Sequence, residues 1–244
     1  MGFKNKLYIG GEWREASDGG TFEVLNPADE SVITKVSSGT TQDAMACVNA
    51  AEDAFHGWAS LSPRERGEVL RKAYELFMEK IDDIAHLITL ENGKAGGDAI
   101  GEARYAAEFF RWYAEEAVRS DGHLGMAPAT GARILVHQKP AGISVLVTPW
   151  NYPAAMGTRK IGPALAAGCP VIVKPASETP LTMLALMPIL SEAGVPPGVV
   201  NVLPSRSSGA VVSGMLSDPR VRVVSFTGST EVGRKLLHAA ADNI

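Results

Sequence analysis

From Thr41 to Ala59 the apolar residues Ala44, Cys47, Val48, Ala51, Ala54, Phe55 and Trp58 recur at i, i+3, i+4 and i+7 spacing, which predicts an amphipathic helix. Ser62, Pro63, Arg64 and Glu65 then supply a capping hydroxyl, a proline at the first helical position and a carboxylate three residues after the cap. A second helix therefore starts at Pro63 and turns Val69, Leu70, Ala73, Leu76 and Phe77 inward. The helical rhythm continues over Ile84, Leu87 and Ile88 until Asn92 and Gly93 offer a C-terminal stop, and it resumes from about Ile100 to Val118. Residues 1–119 thus read as a mainly helical part.

Between Ser120 and Pro140 the pattern changes. Gly122, Gly125, Pro128 and Gly131 break helix, and Arg133, Ile134, Leu135, Val136 and His137 alternate imperfectly, as in an exposed strand. Residues 120–140 are read as a protruding hairpin or arm. After Pro140 strands and helices alternate: Ile143 to Thr148, a helix near Arg159 to Ala167, Val171 to Lys174, a helix from Leu181 to Ala193, Val199 to Leu203, a helix from Ser208 to Leu216, Val221 to Phe226, and a last helix from Glu231. Short β-branched runs between helices imply parallel strands buried on both faces. Residues 141–244 are therefore expected to form a doubly wound parallel α/β sheet. With four recognisable strands it would leave an apolar edge that proteins normally cover, and the chain stops at Asp242, Asn243, Ile244 without a closing strand, so a truncation is expected.

Composition narrows the function classes. With 45% hydrophobic and 20% charged residues and a net charge of −4, the 244-residue chain reads as an ordinary globular protein. Lys and Arg are interleaved with Asp and Glu rather than gathered in a basic stripe, which argues against a nucleic-acid partner. No run approaches the roughly 20 apolar residues needed to cross a bilayer, and the start, Met1 to Lys6, is polar rather than a signal-peptide pattern; no membrane partner and a cytoplasmic location are expected. Cys47 and Cys169 are too few for a disulfide framework and lack the spacing of a zinc site, so both read as buried thiols and no metal is expected.

Ligands of doubly wound sheets bind at the carboxyl ends of the strands, which directs attention to the loops there. The first reads Thr148, Pro149, Trp150, Asn151, Tyr152, Pro153: two prolines fix the backbone around an Asn that either donates its amide to a developing oxyanion or simply makes a turn. The second, Lys174 to Pro180, opens with a lysine at a strand end, placed either to enter the ligand crevice or to lie in solvent. The third, Phe226 to Gly233, runs straight into a helix. There Gly228 allows close backbone approach, Ser229 and Thr230 can cap, and free N–H groups can hold a pyrophosphate, although the G-x-G-x-x-G spacing is absent.

Taken together and in order, the runs Thr148 to Pro153, Lys174 to Pro180 and Phe226 to Gly233 resemble the signature segments of the aldehyde dehydrogenase superfamily. The resemblance extends over essentially the whole chain, including Asn26, Pro27 and the Gly168, Cys169, Pro170 turn. It implies a Rossmann-like cofactor-binding domain, with the arm as an oligomerisation element of a homo-oligomer. It implies that Asn151 helps form the oxyanion hole, that Lys174 contacts the adenosine ribose, and that Ser229 meets the pyrophosphate. With these the resemblance groups Thr148, Pro149, Trp150, Ala176, Ser177, Gly209, Phe226, Thr227, Gly228 and Val232 as cofactor-binding positions.

Ser177 stands where many NAD-preferring members carry a Glu. A carboxylate there repels a 2′-phosphate whereas a serine can donate to it, so the cofactor is expected to be NADP or NAD, with Glu178 next to the position. Within the superfamily the stretch Asn151 to Met156 followed by Thr158, Arg159, Lys160 is similar to succinate-semialdehyde dehydrogenases, which implies that Arg159 binds the substrate carboxylate through its bidentate fork. The resemblance also places the family's catalytic cysteine and general-base glutamate beyond the segment matching Ile244, so the catalytic domain is expected to be absent from this chain. Two other readings remain at this point: an aldehyde dehydrogenase for another small or aromatic aldehyde, and a non-catalytic nucleotide-binding or interaction protein.

Overall fold

The structure, a computed structural model, describes residues 4–243, so Met1 to Phe3 of the polar start and the terminal Ile244 lie outside it. Four short strands come first: β1 (Leu7–Ile9), β2 (Glu12–Arg14), β3 (Thr21–Leu25) and β4 (Val32–Ser37). Helices α1 (Thr41–Ser60), α2 (Pro63–Glu79), α3 (Ile81–Asn92) and α4 (Gly96–Glu116) follow, with a 3-10 turn over Ala117–Arg119. The arm is a two-stranded antiparallel hairpin of β5 (His123–Met126) and β6 (Arg133–Val136). Then come β7 (Ile143–Val147), α5 (Ala155–Ala166), β8 (Val171–Lys174), α6 (Leu181–Ala193), β9 (Val200–Val202), α7 (Ser208–Leu216), β10 (Val221–Phe226) and α8 (Thr230–Ala240).

Local chemistry explains most of these boundaries. Thr40 and Asp43 form a reciprocal capping box at the start of α1, and Ser62 and Glu65 form another at α2, where Pro63 takes the first helical position. Gly93, at φ 76°, ends α3 in the left-handed conformation that glycine adopts without a Cβ penalty. Helix α5 begins four residues before the Arg159 start read from periodicity. No residue of its own caps it; the carboxylate of Glu102 on α4 accepts from the backbone N–H groups of Ala154 and Ala155 instead, at 3.0 and 3.3 Å.

The central sheet has the order β10-β7-β8-β9-β1-β2, with β10, β7, β8 and β9 parallel and β1 and β2 antiparallel. The sheet has two strands more than the four read from the pattern: the β1–β2 hairpin covers the β9 edge, with Tyr8 opposite Val202, while β10 remains an edge strand. The turn of that hairpin is Gly10-Gly11, both at positive φ, the geometry of a tight two-residue connection. Helices α2 to α6 pack one face of the sheet and α1, α7 and α8 the other, giving two cores separated by the strands. Alternation along β7 shows the division: Leu146 faces the first core, Ile143 and Val145 the second.

Candidate nucleotide and substrate site

Strand order places the site. The chain steps from β7 through β8 to β9 and then returns to lay β10 on the other side of β7, so the topological switch lies between β7 and β10. Register aligns the strand ends: Val147 lies opposite both Lys174 and Phe226. The ladder runs one residue further, with Thr148 N donating to Lys174 O and Thr227 N to Val147 O, both at 3.2 Å. The three loops singled out in the sequence therefore leave the same edge of the sheet side by side.

Lys174 is buried, 5% exposed, rather than solvated. Burial pulls its ammonium down to about 8, against the Glu178 carboxylate, which draws it up. On the same loop Ala176 and Ser177 are half-buried, and Ser177 Oγ donates to Glu178 Oε2 at 3.2 Å. A carboxylate thus stands one position after Ser177, held by the serine hydroxyl. At the third loop Ser229 is the N-cap of α8, its Oγ accepting from Val232 N at 3.4 Å; Gly228, Ser229 and Val232 are exposed, Phe226 and Thr227 half-buried. A Cβ on Gly228 would meet the ring of Phe226, so the glycine leaves room for that ring to fold under the helix start. Gly209 is exposed in the first turn of α7, with no atom within 4 Å of where a Cβ would stand.

In the first loop Thr148 is buried, Pro149 half-buried, and Trp150 and Asn151 exposed. Neighbours to which the sequence pattern gives no role in the site hold its backbone. Asn92 Nδ2 and Thr179 Oγ1 donate to Trp150 O at 2.9 and 3.2 Å, and Lys94 Nζ donates to Asn151 O at 3.0 Å while sitting 3.8 Å from the Tyr152 ring centroid. Lys94 is also paired with Glu102, whose side chain is almost fully buried. One sequence signal existed for Glu102: a carboxylate inside the apolar stripe Ala99, Ala103, Ala106.

Arg159 is exposed on α5, its guanidinium 5.5 Å from the Phe109 ring centroid. It lines a cleft of about 410 Å³ over the β7–β10 seam, together with Lys139, Lys160, Ser144, Cys169 and Ser225. Lys160 Nζ donates to Ser225 Oγ at 2.8 Å, and burial lowers its ammonium with help from Arg159. Lys139, Arg159 and Lys160 border this cleft, while Asn151 is not part of the lining, so the structure does not bring Asn151 and Arg159 into one enclosed cavity. A second groove of about 240 Å³ between α3 and α6 is mostly apolar and contains none of the loop residues. Both thiols are buried, and burial pushes that of Cys47 up. No described helix is long and apolar enough to cross a membrane.

A doubly wound sheet whose strand ends carry a buried lysine and a serine-capped helix start is a Rossmann-like fold of the nucleotide-binding type. The sequence profile of the aldehyde dehydrogenase family matches residues 13–244, and the chain belongs to that family. It is 44% identical over 242 residues to the NADP(+) succinate-semialdehyde dehydrogenase GabD of Escherichia coli, and 44% identical over 242 residues to a glutarate-semialdehyde dehydrogenase of Pseudomonas putida. Each alignment covers 99% of this chain and 50% of the relative. The crystal structure of succinate-semialdehyde dehydrogenase from Burkholderia pseudomallei superposes with a TM-score of 0.96 at 41% identity, over 99% of this chain and 50% of that one. The chain spans about half the length of the relatives it matches.

Proposed function

We propose that this chain is the cofactor-binding part of an NADP- or NAD-dependent dehydrogenase that oxidises succinate semialdehyde to the acid. The observation that bears on the substrate class is the exposed guanidinium of Arg159 on α5, next to Lys160, a pair of cations suited to a carboxylate rather than to a neutral chain end. The relatives named for succinate and glutarate semialdehydes, both carboxylate-bearing, agree with it.

The donor set fits a dinucleotide. Lys174 supplies a buried ammonium for the ribose side, Gly228, Ser229 and Val232 present the start of α8 to the pyrophosphate, and the open first turn of α7 at Gly209 leaves space alongside. The bound nicotinamide supplies the hydride acceptor. Asn151 donates its side-chain amide to the oxygen of the aldehyde as charge develops there. The thiolate nucleophile and the general base are assigned to the half of the relatives that this chain does not match, since Cys47 and Cys169 are buried thiols. The hairpin exposes Leu124, Met126, Ile134, Leu135 and Val136, which suits it to pair the chain with a second copy.

The test joins this chain to the half of the E. coli relative that it does not match and measures NADPH formation. Arg159→Leu is expected to raise KM for succinate semialdehyde while sparing butanal, with a loss of roughly 2 to 5 kcal/mol in kcat/KM if the ion pair is desolvated. Equal losses for both substrates would make Arg159 structural and remove the carboxylate from the assignment.

A further inference from the structure

The loop between β7 and α5 makes few contacts of its own. Thr148 N is tied to Lys174 O, and Tyr152 O accepts from Met156 N in the first turn of α5, but Trp150 and Asn151 project from the sheet edge with exposed side chains. What fixes their backbone comes from elsewhere: Asn92 at the end of α3 and Thr179 before α6 hold the Trp150 carbonyl, and the α3–α4 connection with one carboxylate of α4 holds the residues that follow. Lys94 donates to the carbonyl of Asn151 itself and lies over the ring of Tyr152. Glu102 binds Lys94 through Oε2 and, through Oε1, accepts from Ala154 N and Ala155 N, the amides that open α5. One ion pair, buried at its Glu102 end, therefore grips the loop at Asn151 and again just after Pro153. Neither residue approaches the cofactor loops at Lys174 or Ser229 by any hydrogen bond or ion pair the structure shows.

We propose that Lys94 and Glu102 are positioning residues for the reaction: together they hold the Asn151 backbone so that its side-chain amide is aimed before substrate arrives. The inference rests on Asn151 being the oxyanion donor. Charge makes the pair suited to the task. A lysine alone on a carbonyl would wander, because its ammonium has three donors and a flexible stem. Here the Glu102 carboxylate takes one donor, the Asn151 carbonyl another, and the Tyr152 ring covers the head. Fixing a donor in advance avoids reorganisation when charge appears, and a displacement of about 1 Å at such a group can cost up to about a hundredfold in rate.

The experiment uses the same joined enzyme and a double-mutant cycle of Lys94→Met with Asn151→Ala, read as kcat and KM for succinate semialdehyde well below the melting temperature. Lys94→Met is expected to lower kcat by about ten- to a hundredfold with little change in KM, and Lys94→Arg, which keeps donors and charge, to recover part of the loss. In the Asn151→Ala background the Lys94→Met effect should shrink to twofold or less, because nothing is left to aim. Losses that multiply in the double variant, or that fall on KM, would overturn the positioning role. If Asn151→Ala itself leaves kcat unchanged, the oxyanion reading fails and takes this inference with it; if Asn151→Ala is damaging and Lys94→Met is not, only this inference fails. Should Lys94→Met misfold with Glu102 left alone, Lys94→Met/Glu102→Gln removes both charges and is read in the same cycle, with the same outcomes deciding.

Discussion

Deprotonating Lys174 should loosen the nucleotide without loosening the protein. Its ammonium is pulled from 10.5 to about 8 by burial at the end of β8, so the free chain loses this charge across the alkaline range. A nucleotide phosphate or ribose oxygen bound against the ammonium restores its solvation and raises the value again. If binding returns it to the ordinary lysine value, affinity falls roughly tenfold per pH unit above 8, or about thirtyfold between pH 7 and about 9.5, equivalent to about 2 kcal/mol. The 2′-phosphate of NADP has its second ionisation near pH 6, so it remains a dianion throughout and contributes no slope of its own.

Calorimetric titration of the chain with NADP at about pH 7, 8.5 and 9.5 reads the effect directly. Lys174→Met should bind about ten- to a hundredfold more weakly at pH 7, the range of a lost charged hydrogen bond of roughly 1.5 to 3 kcal/mol, and should show no slope. Stability of the free protein moves the other way. A base whose folded pKa is depressed leaves the unfolded chain binding more protons between about 8 and 10.5, so unfolding free energy rises with pH in that window while affinity falls. A flat wild-type affinity, or a slope that survives in Lys174→Met, would refute the assignment of Lys174 to the nucleotide.

Two further outcomes are expected. Ser177→Glu should weaken NADP relative to NAD by about fivefold or more, on the scale of about 1 to 3 kcal/mol, because it adds a second carboxylate beside Glu178; an unchanged ratio of dissociation constants would remove Ser177 from cofactor choice. Glu91, buried on α3, accepts from Leu181 N and Thr182 N at 2.7 Å each, yet burial still raises its carboxyl to about 7. A folded value above the unfolded one means that the folded chain binds the extra proton. Stability is then fully present below about 4.5 and lost as pH rises to about 7, by up to about 3 kcal/mol. Glu91→Gln should flatten denaturation midpoints across that window, and identical slopes in both proteins would show that Glu91 does not titrate there.

Much of this molecule is legible along the chain because its signals are local. Capping boxes at Thr40 and Ser62, the left-handed stop at Gly93, and the alternation of β-branched runs with helices after Pro140 each involve residues within a few positions of one another, so spacing alone predicts α1, α2, α3 and the order of β7 to α8. The three loops that carry Asn151, Lys174 and Ser229 are legible for the same reason, since each follows a strand that the pattern marks. The β1–β2 hairpin had a signal too, in Gly10-Gly11, but helical periodicity does not respond to three-residue strands.

What only the tertiary structure decided are the contacts between residues far apart in sequence. The closing of the sheet edge by β1, the burial of Lys174, the start of α5 at Ala155 and the grip of Lys94 and Glu102 on Asn151 are each set by partners on separate elements. For Glu102 and Ala154 the separation is 52 residues. No window of neighbours around Glu102 contains those two backbone N–H groups, so although Lys94 stands only eight residues away, the carboxylate is fully satisfied only once folding has brought the start of α5 to it.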